Sequence, residues 1–360
     1  MAKRIAVVVS QGQSANPAKR QLEEDIVSGL LFEPGLDVVI IPHLYDLKPD
    51  GTGMLALQGI MGNMIVLSWL YERGARWTLD RFGIRGKEGL TLIKSEEDEE
   101  DEDEEQEGDD GKERVNELRD VPGRRIYCLD LRVHDQAQPY LDEVKRIARE
   151  NALPLVGLSG LGMPGLATPD QAQRFVAPTN STALPLAGSG PAAELSPLEK
   201  IEPLRISEEG LRRWYPVIDY ARCTNCMECI DFCLFGVYGV DKVDTILVEQ
   251  PDNCRKGCPA CSRVCPENAI IFPQHKTPTI AGADVVGGTL KIDLSKLFGA
   301  PETGESAEQA AIRERDEQLL LAGRSAVGDS IGLPKRQDQK YAEPKDELDS
   351  LIDQLDELDV

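Results

Sequence analysis

The apolar residues of this 360-residue chain change period along its length, and each change marks an element. Residues 4–10, RIAVVVS, form a short continuous apolar run of the kind buried in a parallel sheet. Asn16 and Pro17 then open a helix, with Asn as N-cap and Pro in its first turn, and Leu22, Ile26, Val27, Leu30 and Leu31 share one face of it. A second strand at 36–42 and a short helix at 53–60 lead to a third strand at 64–70 and a helix over 72–83 with Leu79 and Phe82 inward. Residues 124–132 read as a fourth strand and 138–150 as a fourth helix. Such alternation predicts an α/β domain over residues 1–155, a parallel sheet flanked by helices and joined by right-handed crossovers.

The period is lost elsewhere. Thirteen acidic residues lie between 96 and 110, a block that repels itself and stays solvated, so 95–113 are expected to be a disordered acidic insert acting as a spacer. Residues 156–205, rich in Pro, Gly, Ala and Ser, read as a linker with one short helix begun by Thr168, Pro169 and Gln171. From 281 to 360 the chain is an acidic tail. Within it Ser306 and Gln309 form a capping-box signature for a helix at about 306–322. Leu348, Leu351, Ile352, Leu355 and Leu358 form the apolar stripe of a second helix at about 345–358. That stripe needs cover, from the chain itself, from self-association, or from a partner.

Residues 206–280 carry different chemistry. Eight of the nine cysteines lie here, in two runs: Cys223, Cys226, Cys229, Cys233, and Cys254, Cys258, Cys261, Cys265 followed by Pro266. Cys258, Cys261 and Cys265 each fall 32 positions after Cys226, Cys229 and Cys233, which marks an internal repeat. Thiolates spaced C-x2-C-x2-C-x3-C suit cubane iron–sulfur clusters, each of which needs four sulfur ligands. Zinc accepts C-x-x-C pairs, yet closes with four ligands and explains neither the third cysteine nor the x3 spacing. Disulfides suit the even count but lack a secreted context. Cys128, in the strand RRIYCLDLR, stands apart and reads as a small buried apolar residue.

The stretches YARCTNCMECIDFCLFGV and CRKGCPACSRVCPENAI resemble the bacterial two-[4Fe–4S] ferredoxins, an α+β fold, over about 60 residues. In that family the last cysteine of each run serves the other cluster. The resemblance implies Cys223, Cys226, Cys229 and Cys265 on the first cluster, and Cys233, Cys254, Cys258 and Cys261 on the second. It also implies a low-potential carrier. Two departures stand out: Leu234 occupies the place that Pro266 holds in the second run, and three residues separate Cys254 from Cys258. Gly257 beside Cys258 would let that loop bulge, so Cys254 is kept as a ligand. Arg222, Arg255, Lys256 and Arg263 adjoin the cysteines, opposed by Glu228, Asp231 and Glu267. Tyr220, Phe232, Phe235 and Tyr238 are placed to shield the clusters.

Charge narrows the possibilities. The net charge of −23 comes largely from the acidic block and the tail, and no basic stripe exists to neutralise phosphates, which argues against nucleic-acid binding. No apolar stretch approaches 18 residues, so no membrane insertion is expected. The amino-terminal MAKRIAVVVS reads as a strand and not a signal peptide. Oxygen-sensitive clusters and a free cysteine point to a reducing cytoplasm.

Loops at the carboxyl ends of the strands of an open α/β sheet are where ligands bind. Here they offer Ser10, Gln11, Ser14, Asn16, Trp69 and Tyr71, a polar and aromatic set loosely similar to that of flavodoxins and able in principle to hold FMN. The first loop lacks the flavodoxins' alternating threonines, and SQGQS is no nucleotide fingerprint. His43 and His134 read as satisfied surface or cap residues. No Walker loop, no GxGxxG after the first strand and no nucleophile elbow is present. The expectation is an electron carrier or redox subunit, not itself an enzyme, exchanging electrons with an oxidoreductase partner. The alternative is a flavin-dependent oxidoreductase fed by the clusters.

Overall fold

A computed structural model describes residues 4–93, 112–151, 202–208, 212–283 and 306–330. The acidic block at 96–110, most of the 156–205 stretch with the helix begun by Thr168, and the helix at about 345–358 lie outside the described residues.

Six parallel strands form one sheet: β1 (Ile5–Ser10), β2 (Leu36–Ile41), β3 (Met64–Ser68), β4 (Lys87–Glu88), β5 (Arg125–Asp130) and β6 (Leu204–Arg205), in the order β4-β5-β3-β1-β2-β6. β1 is central, with Val8 between Val39 of β2 and Val66 of β3. Successive side chains of a strand face opposite ways. Val7 and Val9 join Ile26 and Leu30 of α1 (Pro17–Leu30) and Val144 and Ile147 of α4 (Ala137–Asn151) on one face. Val8 joins Met54 of α2 (Thr52–Gly59) and Leu79 of α3 (Glu72–Arg81) on the other. The N-terminal part is therefore a parallel-sheet α/β unit flanked by helices. α1 starts as its sequence predicts: the Asn16 side chain accepts a hydrogen bond from the Ala18 N–H at 3.0 Å.

The second core does not end at the helices. It continues into Tyr215, Val217 and Ile271 of the cysteine region, so α3 lies between the sheet and that region. Helices covered on one side only keep a polar face, whereas Arg73, Ala75, Trp77, Thr78 and Asp80 of α3 are all buried. The polar side chains Arg73, Thr78 and Asp80 each have at least one partner. Arg73 Nε donates to Asp219 at 2.5 Å, Thr78 Oγ1 donates to the Gly74 carbonyl at 2.7 Å, and Asp80 pairs with Arg119 at 2.6 Å. Gly74 is needed for the approach: a Cβ there would sit 3.1 Å from the Ala281 carbonyl oxygen. Across the same boundary the Tyr45 and Tyr215 rings stack with centroids 4.2 Å apart.

The cysteine region is built from short elements: β7 (Val217–Ile218), α5 (Glu228–Phe232), β8 (Tyr238–Val240), β9 (Ile246–Val248), α6 (Ala260–Arg263), β10 (Ile270–Ile271) and α7 (Pro278–Ala281). β7 pairs antiparallel with β10, and β8 with β9. α8 (Ala307–Leu321) packs on α6 and carries the expected capping box between Ser306 and Gln309. Two segments sit differently from their place in the chain. Leu204 and Arg205, within the stretch read as linker, add the sixth strand beside β2. Residues 112–118, within 1–155 in sequence, join the cysteine region: the Val115 N–H donates to the Cys223 carbonyl and the Asn116 N–H to the Tyr220 carbonyl, both at 2.9 Å. Among the described residues no helix is long and apolar enough to cross a membrane.

Candidate metal centres

The two cysteine runs fold so that their sulfurs form two groups. Cys223, Cys226, Cys229 and Cys265 line one cavity with about 390 Å³ of space between the atoms, including what opens to solvent. Cys233, Cys254, Cys258 and Cys261 line a second of about 330 Å³. Short helices make the exchange. α5 carries Cys229 of the first group and is capped by Cys233 of the second, and α6 carries Cys261 of the second and is followed two residues on by Cys265 of the first. The extra residue before Cys258 is taken up by Gly257 at φ +85°, a left-handed conformation that glycine adopts without steric cost. In the first loop Asn225 and Met227 hold positive φ of 59° and 66°, and the Asn225 side chain clamps the β8–β9 hairpin by accepting from the Ile246 N–H at 2.9 Å and donating to the Asp244 carbonyl at 2.8 Å.

Burial raises the pKa of all eight thiols, and crowding within each group raises several further. Cys223 is pushed up to about 12 by burial and by Cys265 and Cys226 nearby. Cys265 reaches about 11 through burial, with Cys226 adding to it. Cys261 is raised by burial and by Cys233, Cys254 and Cys258. Donors pointing at sulfur oppose this. The Asn225 N–H lies 3.4 Å from Cys223 Sγ, the Ala269 N–H 3.2 Å from Cys265 Sγ, and the Tyr238 O–H 3.1 Å from Cys261 Sγ. Four thiolates this close repel one another strongly unless a polycationic group lies among them. Among the described residues no three His, Cys, Asp or Glu side chains are arranged to hold a single metal ion, and the four cysteines of each group line a cavity. The donor set and its spread fit a cluster of several metals.

Comparison with known proteins bears on this site. An uncharacterized ferredoxin of Methanocaldococcus jannaschii is 45% identical over 85 residues, which cover 22% of this chain and 57% of that protein. The chain carries a ferredoxin-type region. Its match spans little more than half the length of that relative. No family model matches the chain, and no solved structure does either.

The ferredoxin-type region is walled as its sequence suggests, and by more. Phe232, Phe235 and Tyr238 line the second cavity. Tyr220 instead donates to the Ile246 carbonyl at 3.0 Å and packs edge-on against Trp77 of α3, with centroids 5.8 Å apart. Of the charges adjoining the cysteines in sequence, Arg255 lines the second cavity and Glu228 and Glu267 line the first. Arg222 and Arg263 pair with Asp219 and Glu314. Arg315, far beyond the last cysteine, also lines the second cavity, and no local motif announces it.

The loops of the α/β unit are occupied by the chain's own groups. Ser10 is buried and its Oγ accepts from the Leu44 N–H at 2.8 Å. The Gln11 N–H donates to the Ile41 carbonyl at 3.0 Å. Ser14 Oγ accepts from the Asn16 N–H at 3.1 Å, and Asn16 caps α1. Trp69 Nε1 donates to Glu23 Oε1 at 2.8 Å, and the same oxygen accepts from the Gly12 N–H at 2.7 Å. Tyr71 lies under the Arg132 guanidinium, 3.6 Å from its ring centroid. A flavin phosphate at this loop would seek the Gly12 amide, which the buried Glu23 carboxylate already holds, with Arg20 paired to that carboxylate and to the Gly12 carbonyl. The set Ser10, Gln11, Ser14, Asn16, Trp69 and Tyr71 does not fit FMN as arranged. His134 packs edge-on against Tyr140, and burial lowers the pKa of His43. Cys128 is buried in β5 and its thiol pKa is raised by that burial.

Proposed function

We propose that the ferredoxin-type region holds two [4Fe–4S] clusters, one on Cys223, Cys226, Cys229 and Cys265 and the other on Cys233, Cys254, Cys258 and Cys261. The observation that carries this is the exchange of Cys233 and Cys265 between the two groups of sulfurs around separate cavities. When bound, each cluster supplies a site that takes up or gives up one electron at a time. The chain's own groups do the rest. Phe232 and Tyr238 exclude water from the second site, and donors favour anionic sulfur at Cys223 and Cys265 of the first site and at Cys261 of the second.

The protein on this reading is an electron carrier or redox subunit of the cytoplasm that meets an oxidoreductase partner. The region from 206 to 280 is its working domain. The α/β unit serves as its rigid support, since α3 buries polar and apolar groups against it.

Iron and acid-labile sulfide assays on the full chain, purified without oxygen, test the reading. About eight of each per chain are expected from two cubanes; a colourless, zinc-loaded protein overturns it. Cys233→Ala and Cys258→Ala should each leave the same residual paramagnetic signal on reduction, and Cys265→Ala the other. A match between Cys233→Ala and Cys265→Ala would overturn the crossed assignment.

A further inference from the structure

The two cavities differ in charge. Glu228 and Glu267 line the first, with no Lys or Arg among its lining residues. Arg255 and Arg315 line the second, with no Asp or Glu among its lining residues. Arg255 is exposed and screened by solvent, whereas Arg315 is 1% exposed. α8 delivers it. Ala310 and Ala311 are fully buried and let the helix approach closely, and Ala311 packs with Phe232, Cys258, Ala260 and Val264. Arg263 Nε donates to Glu314 at 2.9 Å and fixes the helix along α6. The Arg315 guanidinium then lies 4.6 Å from the Phe232 ring centroid and donates to the Gly328 carbonyl.

Countercharges are present on both sides. Asp316 lies 3.2 Å from Arg315 Nε and also accepts from the Gly328 N–H at 2.7 Å. Glu267 is paired with Lys112 and Arg114 at 2.8 and 2.7 Å. Glu228, 4% exposed, is the buried anion of the first site. The difference lies in the linings themselves: Arg315 lines the second cavity and Asp316 does not, whereas Glu228 lines the first.

We propose that Arg315 makes the second site the more easily reduced of the two, so that an electron given to the chain comes to rest beside α8. This rests on the two-cluster reading above. The step moves one electron and no atom: an external one-electron donor is oxidised, and the negative charge gained at the second site is partly offset by the guanidinium.

A redox titration of the full chain with dithionite, followed by electron paramagnetic resonance, tests it. Two transitions are expected, and the one at higher potential should be the one lost in Cys258→Ala. Arg315→Met keeps the stem over Phe232 but removes the charge. It should lower the reduced-to-oxidised ratio of the higher transition by about tenfold at fixed potential, roughly 59 mV for one electron, and leave the lower one in place. Arg315→Lys should restore most of the shift, and Asp316→Asn should move the same transition upward. A loaded Arg315→Met chain with unmoved potentials, or a shift confined to the lower transition, overturns the proposal. So does a wild-type chain with one unresolved transition. If Arg315→Met does not hold its second cluster, Asp316→Asn decides, and no upward shift in it overturns the proposal. An iron-free wild-type chain overturns the two-cluster reading itself, and iron and sulfide assays on the same samples tell the two failures apart.

Discussion

Tyr238 shows how one polar atom can matter in a buried wall. Its ring lines the second cavity and its O–H lies 3.1 Å from Cys261 Sγ. A hydrogen bond to sulfur favours the more negative state of a cluster. Tyr238→Phe, which keeps the ring, should therefore lower the potential of the second site only, with iron content unchanged; an unmoved potential in the redox titration would refute this role. The gathering of the eight cysteines was legible because their repeated short spacing keeps each run together around a cavity. Arg315 was not, because it reaches the site through a helix that lies far along the chain and no motif ties it to the cysteines. Glu23 was equally hidden: one carboxylate that satisfies both Gly12 and Trp69 turns a candidate ligand loop into a closed one.

At the scale of elements, periodicity located β1, β2, β3 and β5 and the helices α1 to α4, since burial on a sheet leaves an apolar signature. It missed β4 and β6, strands of two residues each that are too short to show a period. It also understated α3. Apolar pattern marks only Leu79 and Phe82 as inward, yet the helix is enclosed because the ferredoxin-type region covers its other side. Arg73 and Asp80 look like part of a solvated face in sequence and are in fact paired across long chain distances. Arg73→Ala removes the nearest cation from the buried Asp219, which keeps Arg222 at 3.7 Å, and loss of such a charged hydrogen bond costs about 1.5–3 kcal/mol. Urea unfolding should show that loss. A change below about 0.5 kcal/mol, as for an ordinary surface substitution, would mean that α3 is not held between the two parts.

Across the whole molecule, the feature that matters is the joining of two units of different logic. A parallel sheet buries apolar side chains on both faces and needs no cofactor to hold it. The ferredoxin-type region has strands of two or three residues and a small core into which the cysteines themselves pack. A region of that kind buries little apolar surface of its own. The charge of −23 looks like a property of the whole, but its largest block falls outside the described residues, and around the sites individual residues such as Glu228 and Arg315 set the local field. Electron carriage is the claim on which the rest depends, and counting electrons tests it most directly. Coulometric reduction of the full chain, prepared without oxygen, should take up about two electrons per chain and return them on reoxidation. Uptake of none by an iron-loaded chain would contradict electron carriage.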